Sequence, residues 1–148
     1  MSVVDERKRE LAERYGELPI ETGSRLQGEF FLRMVEEFDQ LDEGWTQGWL
    51  DWIYGYLYNR GVLDDKTRVL TIIGECCVSS ALVQLPNHIR TALRVGATKE
   101  EVLEVILHSA IYGGMPKMIE AMRVYRSLMT DLGLLELEEP EFRGDARE

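Results

Sequence analysis

Glu75 is the residue whose type and setting point most directly to chemistry. It lies in LTIIGECCVSSAL, residues 70–82, where its apolar neighbours predict burial. A buried carboxylate must be paired, hydrogen-bonded, protonated or wet, because leaving it bare is costly. Arg68, Thr71, Glu75 and Ser79 recur at steps of three and four, which traces a polar stripe along one helix side. Such a stripe either faces a pocket or neutralises itself as a structural network. In a pocket, Glu75 could orient Arg68 or serve as an acid with a raised pKa.

His88 and His108 are the two histidines, and either could transfer protons near neutral pH. Each could equally be a hydrogen-bonded histidine at a helix contact. His88 follows Pro86 closely, so it is expected near a helix start, where the local field disfavours imidazolium. Neither histidine stands in an HExxH-type spacing, so no metal is inferred. Cys76 and Cys77 are adjacent, do not form a CxxC motif, and read as small buried hydrophobes. Trp45, Trp49 and Trp52 recur at helical spacing, as expected of core or subunit contacts. Tyr54 and Tyr58 are i, i+4 partners and Arg60 follows, an aromatic wall beside a cation that would suit a planar anion. No phosphate-binding glycine loop and no nucleophile elbow is visible.

The elements that must position these residues read as helical throughout. A charged helix over about 4–16 breaks at Gly16 and Pro19. A second periodic stretch, 24–41, places Phe30, Phe31, Met34, Val35 and Phe38 on one face. Asp64 is a suitable N-cap for the helix carrying Glu75. That helix is expected to break between Ser79 and Pro86, because proline suits a first turn. Gly96 suits a C-cap, and Thr98 with Glu101 reads as a capping box before EEVLEVILHSAIY. Gly113-Gly114 stops that helix, and Pro116 opens the last long one. An acidic tail runs from about 134 to 148.

The 148 residues fit one all-α domain with its own core. Lys plus Arg total 17 against 27 Asp plus Glu, a net charge of −10, which disfavours nucleic-acid binding. No apolar run is long enough for a membrane span. The charged N-terminus has no signal-peptide core, and with the cysteine usage this suggests a cytoplasmic protein.

Two segments resemble the carboxymuconolactone decarboxylase family. One is YGYLYNRGVLDDKTRVL, residues 54–70; the other is HIRTALRVGATKEEVLEVILHSAIYGGMP, residues 88–116. The resemblance implies a compact bundle of about six to seven helices with the alkylhydroperoxidase D-like fold. It implies a homotrimer or homohexamer, no cofactor, and a pocket near the first turns of the helix that starts around His88. The dithiol positions used by one branch of that family fall on Ala81 and Gln84, so that redox chemistry is absent here. The carboxylates that commonly precede the histidine are also missing from residues 81–84.

The first functional reading is a cofactor-independent enzyme acting on a small carboxylated lactone or enolisable acid, most simply by decarboxylation. His88 and Glu75 are its candidate catalytic residues. Arg68, Arg90, Arg60, Tyr58, Gln84 and His108 are the candidate contacts for an anionic substrate. Isomerisation or lactone hydrolysis could use the same set. A non-catalytic, ligand-binding oligomer is the second reading, and a thiol redox protein using Cys76 or Cys77 is the third.

Overall fold

A computed structural model describes residues 2–136. Helices and turns account for these residues, with no strand among them. The acidic tail beyond Glu136 lies outside the described residues.

α1 (Val3–Tyr15) starts with a capping box between Ser2 and Asp5. It ends at Gly16, as the sequence indicates. Pro19 does not break the chain; it sits in the first turn of α2 (Glu17–Gln27), where its missing amide hydrogen costs nothing. The stretch read as one helix over 24–41 is two. The chain turns at Gly28, whose φ of +63° suits glycine, before α3 (Glu29–Leu41) begins. Phe31, Leu32 and Val35 of α3 are buried, whereas Phe30 is half exposed. α4 (Glu43–Trp49), capped by Asp42, runs into a wider π-helical turn, Leu50–Tyr56, and a 3-10 turn, Leu57–Asn59.

α5 (Asp65–Ser79) is capped by Asp64, whose Oδ1 accepts the Thr67 amide at 2.7 Å. Ser80 takes a left-handed conformation, and the chain reverses into α6 (Leu85–Arg94) with Pro86 in its first turn. α5 and α6 thus form a helical hairpin. α7 (Lys99–His108) begins with the expected Thr98–Glu101 capping box, an interaction worth about 1 kcal/mol. It does not run unbroken to Gly113. Ser109 interrupts it, donating Oγ–H to the Ile106 carbonyl at 2.6 Å, and the short α8 (Ala110–Gly113) follows. α9 (Met115–Asp131) closes the bundle.

Two cores result. Leu11, Tyr15, Ile20, Leu26, Phe31, Val35, Leu50 and Tyr54 fill the first, between α1–α3 and the π-helical turn. Val69, Ile73, Cys77, Leu85, Ile89, Ile106 and Met129 fill the second, among α5, α6, α7 and α9. Ile72 and Val95 border both. No helix among the described residues is long and apolar enough to cross a membrane.

Candidate functional site

The π-helical turn and the first turns of α5 build the most distinctive constellation. Tyr54 and Tyr58 stack with ring centroids 5.5 Å apart and planes 12° from parallel. Asn59 fixes this turn, donating its amide to the Tyr54 carbonyl and, at 3.1 Å, to Thr22 Oγ1. Arg25 pairs with Asp65, so α2 is tied to the start of α5 as well. Arg68, one turn further along α5, lays its guanidinium over the Tyr58 ring at 5.8 Å.

Arg68 has no ion-pair partner among the described residues, and its Nε is buried without a hydrogen bond. A buried, unsatisfied guanidinium nitrogen is costly unless something completes it. Burial raises the pKa of Tyr58; Arg68 opposes that rise and Glu75 adds to it. Tyr58 is therefore a neutral aromatic floor beneath a cation.

His88 lies half buried in the first turns of α6, and its Nδ1 is also buried without a partner among the described residues. Burial lowers its pKa, so the imidazole is neutral at neutral pH. The direction agrees with the expected neutral histidine, but its cause is desolvation by burial and not the helix-start field.

Glu75 departs from expectation. It is exposed, and no ion pair joins it to Arg68 among the described residues. The reason is that α5 buries one face, carrying Val69, Ile73, Cys76 and Cys77, and Glu75 lies off it. Thr71 and Ser79 satisfy their hydroxyls on the backbone of their own helix. Beyond Arg68, whose Nε is buried, the polar stripe runs along the outside of α5. Glu75 and His108 meet instead at a groove of about 490 Å³ between α5, α7 and α8, walled by Val78, Val105 and Tyr112.

The remaining candidates are dispersed. Arg60 is exposed and lies over Tyr56 at 5.9 Å. Gln84 is exposed, and its carbonyl accepts the His88 amide in the first turn of α6. Arg90 is exposed on the outer side of α6, in a cleft with Arg94. Cys76 and Cys77 are buried; burial pushes the Cys76 thiol up to about 11 and raises Cys77 too, against the Ser109 hydrogen bond. Thiols held in this way are poor nucleophiles. Asn59 and Thr22 escaped the sequence reading, because they meet across 37 positions of sequence.

Residues 43–127 match the family model of the carboxymuconolactone decarboxylase family, more than half of the chain. The chain belongs to this family. The matched region holds Tyr58, Arg68, His88 and the whole α5–α6 hairpin, while α1–α3 precede it. An uncharacterised 15.0 kDa protein of Paracoccus denitrificans is 39% identical over 84 residues, covering 55% of this chain and 63% of that protein. The nitrosuccinic acid decarboxylase of Metarhizium robertsii is 37% identical over 82 residues, covering 55% and 57%. The 4-carboxymuconolactone decarboxylase of Acinetobacter baylyi is 28% identical over 102 residues, covering 69% and 76%. The chain thus spans less than two thirds of the first two relatives' lengths.

Proposed function

We propose that this protein is a cofactor-independent decarboxylase of small acids with two carboxylates, one of them on a carbon attached to or conjugated with a π-acceptor. The observation that carries this reading is the Arg68 guanidinium, held over Tyr58 with a buried Nε and no anion among the described residues to complete it. The named substrates of two relatives support the class. Nitrosuccinic acid and 4-carboxymuconolactone each carry two carboxylates. In each, the electron pair left by carbon dioxide can pass into an acceptor, a nitro group or an unsaturated lactone carbonyl.

Arg68 holds the carboxylate that is retained, through charge-assisted hydrogen bonds. The departing carboxylate loses its C–C bond, and the pair moves onto the acceptor oxygen. His88, held neutral by burial, donates a ring N–H to that developing oxyanion. The carbon then takes a proton from water. Tyr58 supplies a dry aromatic wall, which strengthens the Arg68 contact. Glu75, on the exposed side of α5, plays no part in this scheme. The buried, raised-pKa thiols count against a redox protein. A homo-oligomer is part of the reading, supported by Ile111, Tyr112 and Met115, large apolar residues exposed near one another in sequence.

The test is release of carbon dioxide from 4-carboxymuconolactone and from nitrosuccinate, with His88→Ala and Arg68→Gln variants beside the wild type. Release that collapses in both variants is expected. Ligand binding by the folded wild type without any release would establish the non-catalytic reading instead.

A further inference from the structure

A second group of cations stands apart from Arg68. α6 carries Arg90 and Arg94 one turn apart, and both open into a cleft of about 310 Å³ between α6 and the α2–α3 junction. Neither arginine has an ion-pair partner among the described residues. The acidic residue of the cleft, Glu29, is already engaged; Arg33 holds it at 2.7 Å and Arg7 lies at 3.7 Å. Hydrogen bonding from Arg33 lowers the Glu29 pKa, so that carboxylate stays spoken for. Among the described residues no carboxylate pairs with either arginine, and the two positive charges repel each other across one helical turn.

The rest of the lining is rich in donors. Gln27 is buried; its Oε1 faces the Tyr54 hydroxyl at 3.5 Å, and its amide nitrogen has no partner among the described residues. Asn87 adds a second side-chain amide. Arg94 is held against Gly28, because a Cβ there would come within 2.8 Å of both terminal guanidinium nitrogens. The glycine that turns the chain between α2 and α3 is therefore also the seat of this guanidinium. Phe30 forms an apolar edge.

We infer that the Arg90–Arg94 cleft is a binding site for a compact oxyanion, a carboxylate or phosphate head whose attached ring or chain lies against Phe30. Two planar forks with free donors match such a head bidentately. The cleft volume accommodates a head group and a small apolar body. The site is distinct from the one proposed at Arg68, which lies on α5. It does not depend on which reaction the protein catalyses.

The test uses benzoate, phenyl phosphate and inorganic phosphate as probes, titrated calorimetrically against the wild type and the Arg90→Gln, Arg94→Gln and Arg68→Gln variants. The Arg68→Gln protein, which lacks the carboxylate contact proposed above, is expected to bind at least one probe at one site per chain, more weakly as salt rises. In that background Arg90→Gln and Arg94→Gln should each weaken the binding at least about tenfold. Preference among the probes identifies the head group and the value of the Phe30 contact. Should Arg94→Gln fail to fold, the exposed Arg90 decides the matter. No binding of any probe to wild type overturns the inference. So does binding that survives Arg90→Gln and disappears in Arg68→Gln, which would put the anion at Arg68.

Discussion

Arg68→Met separates a ligand-binding role from a structural one, because the two predict opposite changes in stability. Methionine keeps the apolar stem and removes the guanidinium. The change forfeits the contact with Tyr58, worth about 0.5–1 kcal/mol at a partly exposed site. It also removes a buried donor with no partner among the described residues, whose burial costs about 1–3 kcal/mol. The variant should lie between unchanged and about 2 kcal/mol more stable than wild type. Substrate handling should move the other way. A fork of two charge-assisted hydrogen bonds at about 1.5–3 kcal/mol each is worth about 3–6 kcal/mol, so kcat/KM should fall by about 10²–10⁴. Urea denaturation followed by circular dichroism reads the first quantity, and carbon dioxide release reads the second. Destabilisation beyond about 1 kcal/mol with kcat/KM within about tenfold of wild type would refute the reasoning and make Arg68 a structural cation.

Three further outcomes follow from the same structure. Because burial lowers the folded-state pKa of His88 below 6.5, the unfolded chain takes up its proton first on acidification. Stability should be full above about pH 6.5 and fall below it, by up to about 1.4 kcal/mol per pH unit until the folded histidine protonates. His88→Gln should flatten that limb of a pH series of urea melts. With Cys76 near 11, about 0.1% of it is thiolate at pH 8, so alkylation in the folded protein should be about two hundred times slower than in an unperturbed thiol; rapid labelling would revive the redox reading. Gly23→Ala would place its Cβ 2.2 Å from Phe31 Cζ in the first core. It should lower the urea midpoint by the equivalent of about 1–3 kcal/mol.

Local signals in the sequence translated well into structure. Asp64, the Thr98–Glu101 box and Pro86 act on groups within one turn, so their meaning survives without knowledge of the tertiary fold. The break between Ser79 and Pro86 and the start of α7 followed from them. Glu75 was misplaced because apolar neighbours along the chain do not say which face of a helix turns inward. Gly74 and Val78 are apolar, yet they line an outward groove with Val105 and Tyr112, and Glu75 goes with them. The periodicity over 24–41 ran across Gly28 because the hydrophobic spacing continues on both sides of a backbone turn that only the packed α2–α3 pair reveals. Asn59 and Thr22 were invisible for a different reason. Their value lies in an approach across 37 positions of sequence, which no local pattern encodes.

The two cores meet at a seam bordered by Ile72 and Val95, and Tyr58 and Arg68 face each other across it: Tyr58 belongs to the first core, whereas Arg68 rides on α5, whose inner face builds the second. Such separately packed units can open as independent foldons. Amides of α1–α3 should then exchange with solvent through openings that leave α5–α9 protected. Each such opening would release the Thr22 contact that fixes the turn carrying Tyr58, while the hairpin stayed intact. The working lifetime of the site would thus be governed by the N-terminal helices, which contribute none of its charged groups.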